Sequence, residues 1–290
     1  MRILVFGKTG QVGYGLSKDL AGLGSVRCVG RDEADLSDLA AIENVIQEEH
    51  PDVIVNAAAY TNVDQAESDS ELTRLVNAKA PGVMAEMAQA NNAWMVHYST
   101  DYVFDGENDI PYTEDAAKNP KNVYGHTKSE GEDAIREATD RHLIIRTSWV
   151  YSNEGRNFLN TVLRLARQQG ELRIVNDQIG TPTYTRVLSR ATADMIRKLF
   201  ENPDDAELAG IFNLTCAGAT TWYGFACEII RLAGIRDVNI EPIPTLDFPT
   251  PAARPLYSVL DNSRLERIYG LRLPTWQAAL NECMAERAAP

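Results

Sequence analysis

A strand that runs straight into spaced glycines constrains this chain more than any other single feature. Ile3 to Phe6 is a short apolar run, and Gly7-Lys8-Thr9-Gly10-Gln11-Val12-Gly13 follows with no spacer. Val12, Leu16, Leu20 and Leu23 then recur at helical spacing until Gly24, so the segment reads as strand, glycine turn, helix. The glycines lie three apart, whereas the dinucleotide-binding fingerprint has its first two glycines two apart. Residues without side chains permit a tight turn, close approach of the backbone to a pyrophosphate, and packing of helix on sheet, while helix-end amides bind the phosphates. Lys8 and Thr9 add phosphate donors inside the loop, and Gln11 and Val12 complete the cofactor-binding stretch. A glycine trio also suits a plain turn, so its neighbours carry the argument.

Those neighbours alternate. Val26 to Val29 supplies a second strand, Ala40 to Glu49 a helix, and Pro51 precedes the strand Val53 to Val55. A long helix from about Glu71 to Asn91 follows, then the strands Met95 to Tyr98 and Leu143 to Ile145. Short apolar strands separated by helices predict an α/β fold of Rossmann type, a doubly wound parallel sheet with right-handed crossovers. In such a sheet the ligand crevice lies beyond the strand C-terminal ends. The polar residues there are Arg31, Asn56-Ala57-Ala58, Ser99-Thr100-Asp101 and Thr147-Ser148-Trp149.

After Trp149 the character changes. An amphipathic stretch from Phe158 to Arg167 precedes the strand Leu172 to Val175 and the loop Asn176 to Pro182, and Val187 to Phe200 reads as a helix. Prolines at 242, 244, 249, 251 and 255 interrupt the remainder, which suits a small, shaped, mixed α/β substrate-binding lobe. The expected division is a cofactor-binding domain of about 1–149 plus 171–207 and a lobe of about 150–170 plus 208–290, with elements exchanged between them.

With 28 basic and 41 acidic side chains the formal charge is -13, which disfavours a broad nucleic-acid surface. Cys28, Cys216, Cys227 and Cys283 lack close ligand spacing, and Cys28 in its apolar run reads as a buried thiol. No apolar run reaches the ~20 residues needed to span a bilayer, and the start of the chain is too short for a signal peptide before the glycine loop. A cytoplasmic location without membrane contact is expected.

Tyr124-Gly125-His126-Thr127-Lys128 places a phenol and an ammonium one helical turn apart. A phenol with a reference pKa of ~10 is a poor unassisted acid, and a neighbouring cation stabilises its anion and eases proton donation. A solvent-facing Tyr and Lys would give the same local pattern. Thr100, at a strand end, is placed to orient a carbonyl beside Tyr124, or else to bond its own backbone. The candidate catalytic set is Thr100, Tyr124 and Lys128, with His126 on another face. Arg31 stands where an acidic residue often binds the adenosine ribose, and a guanidinium there suits a 2'-phosphate. Asp35 and Leu36 are candidates to flank adenine, the first equally a helix-start residue.

These motifs, with Val55 to Glu67, Ser99 to Gly106, Arg146 to Tyr151, Asn176 to Thr183 and Arg254-Pro255 before Ser258 to Asp261, run in order through essentially the whole chain. The chain resembles the extended short-chain dehydrogenase/reductase superfamily and, within it, the dTDP-4-dehydrorhamnose reductase family. The resemblance implies NADPH or NADH as cofactor, dTDP-4-dehydro-L-rhamnose as substrate and reduction at C4. It matches Thr100, Tyr124 and Lys128 to the catalytic residues, with Tyr124 and Lys128 also touching cofactor and Ala57, Ala58 and Ala59 lining its site. It matches Asp101, Tyr102 and Trp149 to positions around the sugar and nicotinamide, places Asn176, Thr181 and Pro182 by the substrate, and makes Arg254 a diphosphate contact. No catalytic metal is implied. Some members form a magnesium-supported homodimer, but Arg186 stands where an acidic metal-facing residue is expected, so that site does not carry over. The competing readings are another nucleotide-sugar epimerase, dehydratase or reductase, and a non-catalytic cofactor-binding regulatory subunit.

Overall fold

The computed structural model describes residues 1–288. Strands β1 (Arg2–Phe6), β2 (Ser25–Val29), β3 (Val53–Asn56), β4 (Trp94–Thr100) and β5 (His142–Thr147) form a parallel sheet with Gly210–Asn213. The order across it is Gly210–Asn213, β5, β4, β3, β1, β2. Every residue of β3, β4 and β5 is buried, as expected when helices cover both faces and the strands read as unbroken apolar runs. Successive side chains divide between two cores. Val5, Val55, Val96 and Ile145 pack with Leu16, Leu188 and Met195, whereas Leu4, Ile54, Met95 and Ile144 pack with Ile42, Met84 and Ile135.

Helix α1 (Gln11–Asp19) ends four residues before the Leu23 expected from periodicity. Gly24 permits the turn that follows, because a side chain there would strike the Met1 carbonyl. Helix α2 (Leu39–Glu49) is capped by Asp38, whose carboxylate accepts from Ala41 N. The long helix expected over 71–91 is one rod with a widened centre: Ser70–Arg74, a π-helical turn at Leu75–Lys79, then Ala80–Ala90. Pro81 lies just beyond that turn and has no N–H to give, so the wider turn relieves a position where a regular ladder would break.

The expected domain division changes at two places. Glu171–Val175 leaves the main sheet and pairs in parallel with Asn239–Ile243, and Leu172 packs with Leu159, Phe225 and Leu280 in the smaller lobe. Gly210–Asn213 does the opposite and closes the main sheet against β5. Both are short strands, so the choice of partner was set by tertiary packing rather than by their own pattern. No helix among the described residues is long and apolar enough to cross a membrane.

Candidate active site

The turn after β1 leaves no room for a side chain at Gly7 or Gly13. Gly7 has φ +99, and a Cβ there would come within 2.9 Å of the Ala57 carbonyl at the end of β3. A Cβ on Gly13 would collide with the Gly7 carbonyl, so this glycine lets α1 pack directly on the turn. The α1 N-cap is Gly10, which offers no side-chain cap, and the first turn carries no acidic residue. Helix-end amides and the positive end of the helix dipole are thus directed at a ligand position. A cavity of ≈ 670 Å³ runs from this cradle along the strand ends to Tyr124 and Trp149. The three-residue glycine spacing therefore builds a close-packed turn into the helix, as the more familiar fingerprint does.

On the cofactor side, Thr9, Gln11 and Val12 line the cavity with Gly7 and Gly10, as do Ala57, Ala58 and Ala59. Arg31 also lines it, 86% exposed, with Nε 3.7 Å from Asp35 Oδ2. Asp35 accepts from Ser37 N and Oγ, which holds its carboxyl below the usual range, and Leu36 packs beside it. Lys8 departs from expectation. Its ammonium turns away to Glu33 at 2.9 Å, a carboxylate that also binds Arg27, so this side chain is already partnered outside the cavity.

Thr100 ends β4, and Tyr124 and Lys128 lie on Val123–Ala138, a helix capped by Asn122 through Gly125 N at 2.8 Å. All three line the cavity, and His126 is exposed on another face. Burial pushes the Tyr124 phenol up to about 12, opposed by the Thr100 hydroxyl and reinforced by the Asp101 charge. Burial brings Lys128 down to about 7, opposed by Glu132. Helical spacing predicted an ammonium beside the phenol. Instead Lys128 Nζ reaches across to β4, 2.6 Å from the Tyr98 carbonyl and 2.8 Å from His97 Nε2.

Asp101 is buried, accepting from Thr100 Oγ1 at 3.0 Å and Ser148 Oγ at 2.9 Å; burial nonetheless raises its carboxyl above the usual range. The Tyr102 ring meets Tyr124 edge-on, with centroids 5.6 Å apart. Trp149 adopts φ +47, a strained conformation for a bulky residue and one that collects at functional sites. Its ring stacks on Trp222 at 3.5 Å, and only glycine fits at position 180, where a Cβ would lie 2.5 Å from the indole.

Four expected substrate residues do not line this cavity. Asn176 is engaged with Thr221 Oγ1 at 2.7 Å, and Thr181 donates to the Gly218 carbonyl at 2.8 Å. Pro182 is buried beside it, so this stretch backs Trp149 through Gly180 rather than forming the cavity wall. Arg254 binds Asp64 at 2.8 Å, its guanidinium 6.0 Å from the Tyr102 ring, and its buried Nη1 has no partner. Lining residues absent from the expected site include Thr147, Arg156 and Trp222. The first had a signal, since it ends β5, and its buried hydroxyl has no partner. Trp222 follows the helix-capping Thr221, and Arg156 lies in an irregular loop with no pattern to mark it.

The chain matches the family model described as the RmlD substrate binding domain over residues 1–289. It is 43% identical over 295 residues to dTDP-4-dehydrorhamnose reductase of Escherichia coli K12, covering 99% of this chain and 98% of that protein. The chain belongs to the dTDP-4-dehydrorhamnose reductase family. Among solved structures, the family member from Clostridium acetobutylicum superposes with a TM-score of 0.92 at 38% identity, covering 100% of both chains. The dTDP-4-dehydrorhamnose reductase of Bacillus anthracis, solved in complex with NADP, superposes at 0.90 with 34% identity and covers 98% of this chain and 99% of that one. A UDP-glucose 4-epimerase from Thermus thermophilus, at 19% identity and TM-score 0.83, shares the fold. In this dTDP-4-dehydrorhamnose reductase family member, the glycine cradle fits a dinucleotide pyrophosphate, and the same cavity is lined by Thr100, Asp101, Tyr124 and Trp149.

Proposed function

We propose that this chain reduces the C4 ketone of dTDP-4-dehydro-L-rhamnose to dTDP-L-rhamnose, with NADPH or NADH bound along the glycine cradle. The observation that carries this reading is convergence: Thr100, Tyr124 and Lys128 meet Asp101 and Trp149 at one end of the cavity whose other end is the cradle. The reduced nicotinamide supplies the hydride. At about 12 the Tyr124 phenol keeps its proton at neutral pH, so it stands ready to donate to the alkoxide developing at C4. Thr100 orients the ketone toward that proton. Asp101, held by Ser148, accepts sugar hydroxyls, and the Trp149/Trp222 pair excludes water from the reacting face. The partnerless Arg254 Nη1 offers a donor to the substrate diphosphate after a modest shift of its side chain toward the cavity. Arg31, exposed and weakly held by Asp35, is free to meet a 2'-phosphate and favours NADPH while permitting NADH.

The test is to incubate purified protein with the authentic keto-sugar and each reduced cofactor, then identify the product by mass and stereochemistry. Net consumption of reduced cofactor with formation of dTDP-L-rhamnose is expected. An epimerised or dehydrated product with cofactor retained, or no product from folded, cofactor-bound protein, would overturn the reading.

A further inference from the structure

Lys128 is tied to the sheet by a chain of hydrogen bonds whose direction can be read from its far end. Ala58 N donates to Asn56 Oδ1 at 3.0 Å. A backbone amide can only donate, so this contact assigns the Asn56 oxygen and turns its Nδ2 toward His97 Nδ1, 3.2 Å away. The Asn56 nitrogen also only donates, so His97 Nδ1 accepts and carries no proton. A neutral imidazole then bears its hydrogen on Nε2, which lies 2.8 Å from Lys128 Nζ. Two donors do not share a hydrogen bond, so Nζ presents a lone pair to His97 and gives one of its own hydrogens to the Tyr98 carbonyl at 2.6 Å. Asn56 and His97 are 0% exposed and Lys128 1%, which leaves the chain of bonds without competing solvent.

We propose that Asn56 and His97 are positioning residues that hold Lys128 as the neutral amine in the ligand-free protein, so that charging Lys128 requires His97 to change tautomer. The balance is simple. Nζ gains one proton from solvent, Nε2 loses its hydrogen, Nδ1 gains one, and the ring stays neutral throughout. The new Nδ1–H needs an acceptor, so the Asn56 amide must turn over, which sets its nitrogen against Ala58 N–H and loses that bond. Ala58 lines the ligand cavity, so occupancy there and charge on Lys128 are linked through two buried side chains.

The groups around Nζ agree with this assignment. Glu132, one turn along the same helix, favours the ammonium but is itself bound by Arg146 at 2.7 Å and by Ser99 at 2.5 Å. Tyr124 and Asp101 face the site from the cavity side, and His97 and the Tyr98 carbonyl face it from β4. Burial outweighs the Glu132 charge at Lys128, and burial also keeps His97 well below its ordinary value. The imidazolium is thereby disfavoured. The inference rests on Lys128 working in the proposed site, but its first test does not involve turnover.

In uniformly ¹⁵N-labelled protein above neutral pH, two-bond nitrogen–proton correlations report the tautomer of each histidine ring. His50 and His126 are exposed, which leaves the two buried rings. His142 Nδ1 faces the Thr139 carbonyl at 2.7 Å and so bears the hydrogen there, making it an internal control of opposite tautomer. His97, identified by its loss in His97→Gln, is expected to show a bare Nδ1 and a protonated Nε2. A protonated Nδ1 on His97 overturns the proposal whatever the activity. Asn56→Asp supplies the second arm, because its carboxylate accepts from both Ala58 N and His97 Nδ1 and so leaves Nε2 to receive an ammonium. The His97 pattern should reverse, and the alkaline limb of kcat/KM should move up by about one pH unit, a tenfold change in Lys128 ionisation. An unchanged pattern and limb in folded Asn56→Asp protein contradicts the proposal, and the wild-type ring pattern decides the matter if that variant does not fold.

Discussion

The main sheet and the smaller lobe face the same cavity but hold their side chains in different ways. Thr100, Asp101 and Lys128 sit at or against the ends of fully buried strands, fixed by neighbours such as Ser148 and His97. The smaller lobe instead builds on two-stranded pairs and loops, and exposes Leu246 at 90%, with Phe248 and Leu256 also open to solvent. A helix packed on a rigid sheet suits the placement of a proton donor, where a small displacement costs much rate, whereas loops suit recognition of a nucleotide sugar. The two regions should therefore fail differently when mutated.

The largest effect is expected on the main-sheet side, at the helix Val123–Ala138. Tyr124→Phe should lower kcat by about 10²–10⁴-fold, since it removes the proposed proton donor, with cofactor affinity nearly unchanged. Steady-state kinetics with a separate cofactor titration checks this. Next is the tie between that helix and β5: Arg146 is bound to Glu132 through Nε at 2.8 Å and Nη2 at 2.7 Å, and both residues are buried. Arg146→Met takes the bidentate guanidinium from a buried carboxylate, leaving it Ser99 and the Lys118 ammonium at 3.6 Å, and should cost about 3–5 kcal/mol in denaturant unfolding.

The buried amine gives a pH-dependent contrast. Lys128 binds its proton near 10.5 when unfolded and near 7 when folded, so between those values the unfolded chain holds more protons and stability rises with pH. Lys128 therefore costs stability fully below about 7 and ceases to do so above 10.5. The stability advantage of Lys128→Met over wild type should shrink as pH rises through that window, and a constant difference would show that the amine is not depressed.

The lobe should yield smaller effects centred on KM. Trp222→Ala removes the partner of Trp149, a stacked pair worth about 0.5–1.5 kcal/mol beyond its buried area, and should raise the sugar-nucleotide KM several-fold with a lesser change in kcat. A kcat loss matching that of Tyr124→Phe would erase the contrast between the regions. Smallest is Arg31→Ala: an exposed ion pair is worth about 0.2–1 kcal/mol, so the loss should be no more than about fivefold, and seen with NADPH rather than NADH. Equal losses with both cofactors would assign Arg31 to general positioning.

What was legible in the sequence follows the same divide. The runs at Ile3, Val53, Met95 and Leu143 identify strands because burial on both faces makes most positions apolar, and a known strand end carries its site residues with it. Gly7 and Gly13 were legible because backbone contact requires them. Lys8 was not, since its choice of Glu33 over the cavity depends on a residue brought close by the turn after β2. Trp222 and Arg156 reach the cavity only through the docking of the second lobe, which no local period encodes. Asn56 and His97 stood in plain sight at strand positions, but their importance lies in the direction of a hydrogen-bond chain that only coordinates display.

The central claim is a net reduction carried out in one continuous cavity, and isotope transfer tests it most directly. The protein should be mixed with dTDP-4-dehydro-L-rhamnose and reduced nicotinamide deuterated at its transferable C4 position, and the sugar product analysed by mass and by proton resonance. The account predicts dTDP-L-rhamnose carrying a single deuterium at sugar C4, with one reduced cofactor consumed per product. Product without deuterium at C4, or isomerised sugar beside unchanged cofactor, would contradict it.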